Sequence, residues 1–377
     1  MTEMNSDMVQ KGLSIILLIS IMHACHSPEN KNIPVQEDGD AIKNETNLRI
    51  QQIKEKSSSV FTSSKGYWEA VLENEMTMVY IAGGNFFMGT DLGIKIEQPM
   101  HQVYLDGYWI GKYPVTVGQF REFIEATVYV TDAEKGMGSW QWTGEIPGKD
   151  DNWDPWKPMP DGAWNNIYFE QGEDHPVGSV SWNDAIAYCR WLTENTGMPF
   201  VLPSEAQWEK AARGMDKRTF PWGNDLPDGS CTNIADKSFV SKYGPYTRIP
   251  DTLIDDGYIE TSPVDAFPKG QSSYGVYDMA GNLGQWVYDV FDPDYYKNSP
   301  TRNPTGPESN GKADIDRVNR GGAWTDRVGV DINGELISPE HGHTIRSAMR
   351  TGDEQNSSDD HMGFRVAIDY LRQSQIR

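Results

Sequence analysis

Between Gly214 and Phe364 the sequence sustains neither a helical nor a strand period, and turn residues dominate. Such a stretch enters a folded domain only as ordered loop, its backbone polar groups satisfied by turns and side chains rather than by long ladders. The aromatic content makes that ordering feasible. Phe, Trp and Tyr make up 11% of the 377 residues, with 13 Trp and 36 Gly, and the mean hydropathy is -0.61. Large rings can fasten loops to a core without regular structure. The composition therefore predicts a loop-rich globule rather than a coiled coil or a disordered chain.

Upstream of Gly214 three helices are marked by their caps. Thr116 with Gln119 forms a capping box, followed by Phe120, Phe123 and Ile124 on one face. Ser181 with Asp184 opens a second helix, carrying Ala185, Cys189 and Leu192 and stopped by Gly197. Ser204 with Gln207 opens a third, carrying Trp208, Ala211 and Ala212 and closed by Gly214. The runs 78–81 and 86–88 flank Ala82-Gly83-Gly84-Asn85 and predict a hairpin. Val103 and Leu105, then Asp106-Gly107, then Tyr108-Trp109-Ile110 predict a second. The alternation over 364–368 predicts a half-buried last strand. Few helices, small antiparallel sheets and long ordered loops make this an α+β domain of irregular architecture.

The formal charge of -22, from 33 basic and 55 acidic residues, disfavours phosphate backbones, so nucleic acid is not an expected partner. Cation binding suits such a surface better. Only Cys25, Cys189 and Cys231 occur, too few for a disulfide framework. No CxxC, HExxH, P-loop or GxSxG pattern is present.

The apolar run Gly12 to Met22 is too short to span a bilayer and reads as a signal-peptide h-region. Met22-His23-Ala24-Cys25 follows and resembles a lipobox, although His23 and the acidic Glu3 and Asp7 are unusual there. The expected organisation is a lipoprotein signal peptide over 1–24, a polar tether over 25–70 and a globular domain over 71–377. Cys25 is the expected lipidation site, giving a membrane-anchored protein of the cell envelope. Within the tether, 44–56 is compatible with a short helix.

Eight segments occur in a fixed order. They are Gly83-Gly84-Asn85-Phe86-Phe87-Met88-Gly89, Tyr113-Pro114-Val115-Thr116, Pro176-Val177-Gly178-Ser179-Val180-Ser181-Trp182 and Leu202-Pro203-Ser204-Glu205-Ala206-Gln207-Trp208-Glu209. Phe220-Pro221-Trp222-Gly223-Asn224, Tyr277-Asp278-Met279-Ala280-Gly281-Asn282-Leu283-Gly284-Gln285-Trp286, Arg320-Gly321-Gly322-Ala323-Trp324 and Gly363-Phe364-Arg365-Val366-Ala367 complete the set. Together they resemble the formylglycine-generating-enzyme (sulfatase-modifying factor) family over about residues 76 to 370. The resemblance implies a C-type-lectin-like fold with small twisted sheets.

It also implies two calcium sites. The first would use the side chains of Asn233 and Asp256 with the carbonyls of Ile234 and Tyr258. The second would use Asp278 and Gln285 with the carbonyls of Gly281 and Leu283. Hard cations take six to eight oxygens, which loops can supply. Gln285 stands where the family usually has Glu, so weaker binding is expected at the second site.

The family's oxidation of a sulfatase cysteine to formylglycine uses two cysteines that bind copper(I). By the resemblance, Asp326 and Asp331 fall where those cysteines belong, and carboxylates do not replace thiolates for a soft ion. Copper-dependent formylglycine generation is therefore not expected. Cys189 reads as a packing residue, and position 366, its disulfide partner in some relatives, is Val. Trp324, Arg346 and Arg350 correspond to the family's substrate groove, although arginines on an acidic protein also pair with neighbouring carboxylates.

His341 and His343, with His361 and the carboxylates of Asp326, Asp331 and Glu340, form a speculative metal site. A polar surface loop is the plainer reading of 335–343. Trp140, Trp142, Trp153, Trp156 and Trp164 crowd the segment 136–170, either fastening a long loop or offering rings to a sugar or peptide. The leading expectation is a noncatalytic, ligand-binding or assembly component. It is similar to family lipoproteins of gliding-motility and secretion assemblies. A diverged oxidoreductase or metal-dependent maturation enzyme for exported proteins, and a carbohydrate-binding module, are the alternatives. An exported protein and a glycan are the corresponding ligands.

Overall fold

The computed structural model describes residues 38–142, 156–243, 254–309, 315–326 and 345–372. The frame is set by a bent ribbon. Strand β3 (Thr77–Ile81) follows α1 (Gly39–Lys54), β1 (Ser57–Thr62) and β2 (Trp68–Leu72), and precedes β4 (Gly84–Met88), β5 (His101–Leu105) and β6 (Tyr108–Gly111). β3 pairs with β6 and β4 with β5, both antiparallel. Neither predicted hairpin forms as such. Ala82-Gly83 and Asp106-Gly107 are not reversals but corners, at which both strands pass together from one sheet to the next. The corner requires Gly107, where a Cβ would come within 2.0 Å of the Tyr80 hydroxyl. Its N–H donates to Glu45 Oε2 of α1 at 3.1 Å.

The remaining elements are α2 (Val117–Thr127), β7 (Ser139–Trp142), β8 (Trp156–Met159), α3 (Trp182–Thr196), β9 (Phe200–Val201), α4 (Glu205–Arg213) and α5 (Lys237–Tyr243). They continue with β10 (Gly284–Val290), β11 (Asp316–Arg320), β12 (Arg350–Glu354), β13 (Met362–Phe364) and β14 (Ala367–Ile368). A six-stranded sheet runs in the order β1-β2-β3-β6-β14-β9, and a four-stranded sheet in the order β12-β11-β10-β13. The predicted last strand is divided: β13 lies parallel to β10, and β14 inserts between β6 and β9. Arg365 sits at the crossing.

β3 and β6 are buried on both faces, which explains their continuous apolar runs. Met78, Tyr80 and Trp109 face a core shared with Phe120, Phe123, Tyr188, Cys189 and Leu192 of α2 and α3. Val79, Ile81, Tyr108 and Ile110 face a second core with Phe86, Val103, Leu105 and the Ala206, Trp208 and Ala212 side of α4. All three predicted capping boxes form, and α3 and α4 end at Gly197 and Gly214, both at φ 70°.

The segment expected as a polar tether differs. Residues 39–62 of it form α1 and β1, and α1 buries Ile50 and Ile53 in the first core. Few apolar residues mark this helix, and Leu48 on it is exposed, so the sequence shows no period. Tertiary contacts hold it instead, such as Glu45 at the Gly107 corner. Residues 1–24 and Cys25 lie outside the described residues.

Candidate functional site

Glu205 and Glu209 stand one turn apart on α4, and both are buried. Buried carboxylates persist only when paired. Arg320, ending β11, bridges them at 2.8 Å to Glu205 and 2.6 Å to Glu209. Arg350, opening β12, grips Glu205 through Nε at 2.7 Å and Nη2 at 3.0 Å. Arg213 closes on Glu209 at 2.8 Å, and the Tyr296 hydroxyl donates to Glu205 at 3.0 Å. Arg346 pairs with Glu97 at 2.9 Å. The two arginines expected to line a ligand groove are thus committed to protein carboxylates. Trp324, expected beside them, is fully buried among Trp142, Phe169, Phe239 and Tyr243. Arg350 lines the neighbouring cleft while held by Glu205 of α4, Arg346 is held by Glu97 of the 95–97 turn, and Trp324 fastens loops through its ring contacts.

Next to this network, at the ends of β11 and β12, lies a cleft of about 200 Å³ whose lining includes Trp156, Asn319, Asp326, Thr351, Asp353 and His361. Asp326 braces the turn leading into it, accepting the Ala323 N–H at 2.8 Å. Asn319 donates to Asp353 at 2.5 Å and accepts from the Thr351 hydroxyl. His361 Nδ1 lies 3.2 Å from Asp360 Oδ1, and the other Asp360 oxygen accepts the Trp142 N–H at 2.5 Å. Asp360 is fully buried, whereas the His361 side chain is 29% exposed and lines the cleft. Burial opposes the imidazolium, but the Asp360 hydrogen bond and the charges of Asp359, Asp360 and Asp326 outweigh it. The pKa is raised to about 9. Burial raises the carboxyls of Asp353 and Asp359, with His361 opposing. His361 and Asp326 line the same cleft, although no cluster of three metal-ligating side chains is found among the described residues. Asp331, His341, His343 and Trp153 lie outside the described residues. Of the other tryptophans, Trp142 and Trp164 are buried, as loop fastening requires, and Trp140 is exposed.

The first expected calcium site fits a cation. Asn233 Oδ1 is buried without a hydrogen-bond donor, while its Nδ2 donates to the Glu260 carbonyl at 2.6 Å. Asp256 accepts the N–H groups of Ile234 at 2.9 Å and Tyr258 at 2.8 Å. Burial and the nearby Asp236 charge push its carboxyl up to about 7, against those hydrogen bonds. An orphaned amide oxygen and a strained carboxylate on adjoining loops are what a hard cation relieves.

The second expected site does not fit. Gln285 Oε1 accepts from Trp208 Nε1 at 2.8 Å and from Arg365 Nε at 2.6 Å, and Nε2 donates to the Asp278 carbonyl at 2.5 Å. Both acceptor positions of that oxygen are filled. Arg365 also donates to the carbonyls of Gly111, Tyr277 and Asp278, so a guanidinium supplies the positive charge beside Asp278.

A family model described as the sulfatase-modifying factor enzyme 1-like domain matches residues 67–370. The chain belongs to this family. It is 36% identical over 326 residues to the formylglycine-generating enzyme of Thermomonospora curvata, covering 78% of this chain and 94% of that one. It is 32% identical over 305 residues to mouse inactive C-alpha-formylglycine-generating enzyme 2, covering 77% and 85%. Among solved structures, PvdO from Pseudomonas aeruginosa matches with a TM-score of 0.56 and 25% identity, covering 83% of this chain and 99% of that one. The α+β, C-type-lectin-like fold expected for a sulfatase-modifying factor domain is the one observed. Sequence reasoning did not find the Glu205–Arg320–Glu209 network or the Asp360–His361 pair. The available signal was Glu205 and Glu209 at i,i+4 on a helix otherwise carrying Trp208, Ala211 and Ala212.

Proposed function

We propose that this sulfatase-modifying factor protein is a cell-envelope lipoprotein, anchored through Cys25, whose domain binds a ligand or assembly partner rather than oxidising a cysteine. The chemistry of the cleft carries this reading. Copper(I) calls for thiolates, yet the three cysteines of the chain are at 25, 189 and 231. Cys189 is buried in the first core, where burial raises its thiol far above the ordinary range. Cys231 sits on a loop beside Asp228. Among the described residues the cleft beside the 321–326 segment is lined by carboxylates, an amide, hydroxyls, an imidazole, the engaged guanidiniums of Arg320 and Arg350 and the thioethers of Met349 and Met362, with no thiol. A protein from relatives that include one named inactive is consistent with such divergence.

Calcium at Asn233, Ile234, Asp256 and Tyr258 has a structural role in this reading, neutralising Asp256 and fixing loops. A second reading, a diverged maturation enzyme for exported proteins, draws on the Asp360–His361 pair, since a carboxylate-held imidazole in a cleft can move a proton. Lipidation is tested by radiolabelled palmitate: the full chain incorporates label and Cys25→Ser does not. Label in neither protein removes the anchor. The binding role is tested by cross-linking the full-length protein in its own cells. A reproducible partner or glycan supports it, and turnover of an exported protein supports the second reading.

A further inference from the structure

We propose that the cleft beside His361 is a saccharide subsite, taking one neutral sugar ring against Trp156 with its hydroxyls shared between His361 and the carboxylates of Asp326 and Asp353. This deepens the ligand-binding reading and rests on it. The charges decide the ligand class. Arg320 and Arg350 reach the cleft but are spent on Glu205 and Glu209, so they offer little to an anion. Asp326 and Asp353 on the lining repel an anion further. A cationic side chain drawn to those carboxylates meets His361, which Asp360 holds in the same cleft, so neither sign of charge finds an uncompensated partner there. What remains is a neutral ligand rich in groups that both donate and accept, and a hydroxyl does both.

The lining is matched to that task. His361 Nδ1 is occupied by Asp360, so its remaining ring nitrogen is the group available for a ligand oxygen. Asp353 and Asp326 accept, and both are braced, by Asn319 and by the Ala323 N–H. Bracing reduces the ordering cost of binding. Trp156 is half-buried, with its ring set edge-on to His361 at 5.5 Å and to Trp142 at 4.8 Å, which fixes an apolar flank on the same cleft. Rings of this kind pack on the apolar faces of polar ligands. About 200 Å³ suits a single ring better than a length of extended chain.

The test is saturation-transfer NMR on the full-length calcium-loaded protein with the methyl glycosides of glucose, galactose, mannose and N-acetylglucosamine. A lysine-containing and a neutral tripeptide serve as competing probes. Saturable binding of at least one glycoside is expected, weakened about tenfold or more by His361→Ala and by Asp353→Asn, as loss of one polar contact implies. Circular dichroism verifies that the variants fold, and Asp326→Asn replaces any that does not. Absence of saturation with every glycoside, binding by a tripeptide alone, or glycoside binding unchanged in the variants overturns the assignment. Failure of the underlying reading has a different signature, which is conversion of a cysteine peptide to formylglycine by the same preparation.

Discussion

Arg365 donates its Nε to Gln285 Oε1 at 2.6 Å, and this hydrogen bond occupies the place where a second cation was expected. Both side chains are fully buried. Gln285→Glu would set a carboxylate oxygen against the Asp278 carbonyl that Nε2 now serves. The expected result is a loss of about 1–3 kcal/mol in urea unfolding, the usual cost of an unsatisfied buried group. No additional calcium is expected in either protein. A second calcium per chain in the parent or in the variant would refute the assignment of Arg365 as the resident cation.

Calcium is expected at one site per chain, measured by mass spectrometry on protein purified without chelator, and lost in Asn233→Ala and Asp256→Ala. The pH dependence has a definite sign. Asp256 and Asp278 have folded pKa values of about 7, above the unfolded value of about 3.9, so the native state holds the extra protons. In chelator these two groups make stability fall as pH rises from about 4 to about 7. Thermal melts in EDTA should drop across that window, and calcium should restore part of the loss. An EDTA curve that rises there, or no calcium effect, would contradict the site.

The Arg320 guanidinium neutralises two buried carboxylates at once. Arg320→Ala removes the cation between two carboxylates one turn apart, leaving Glu205 to Arg350 and Glu209 to Arg213, and a broken buried pair typically costs about 3–5 kcal/mol. Chemical unfolding of that variant should show a loss in this range. A loss below about 1 kcal/mol would mean that water already reaches the network.

His361 should titrate near pH 9, well above an ordinary imidazole. Its contribution to stability is fully present below the unfolded value of about 6.5 and is lost as pH rises through about 9. NMR of the ring protons reads this directly, and Asp360→Asn should move the titration downward. A value near 6.5 in the parent would remove the imidazolium from the cleft.

The fold was largely legible where local chemistry dictates it. Thr116, Ser181 and Ser204 each announce a helix through side chains that satisfy its first N–H groups, and all three do so. The ribbon corners were misread because Asp106-Gly107 has the composition of a turn, and the sheet change depends on what Tyr80 and Glu45 place there. Helix α1 was legible only as a short helix over 44–56 within a tether, because its few apolar residues do not show that the sheet holds it. At the site, the orphaned oxygen of Asn233 and the neighbouring Asp256 carboxyl lie where family likeness led a cation site to be expected. That Arg346 and Arg350 pair with carboxylates was foreseeable on an acidic protein, but their partners Glu97 and Glu205, and the Trp208 and Arg365 that fill Gln285 Oε1, were not, since these lie far away in sequence.

Because α1 belongs to the domain, Ile53→Ala should cost about 2–5 kcal/mol, the range for emptying a buried aliphatic site. Urea unfolding reads the difference. A near-neutral variant would return residues 39–56 to the role of tether.

The central claim is that this sulfatase-modifying factor protein has left thiolate copper chemistry. Its most direct test is mass spectrometry of a sulfatase-derived cysteine peptide after incubation, in air, with the full-length protein supplied with copper(I). The account expects the cysteine to remain unconverted while the protein stays folded and calcium-loaded. Conversion to formylglycine with multiple turnovers would contradict it, and would show that the oxidation runs without the paired thiols.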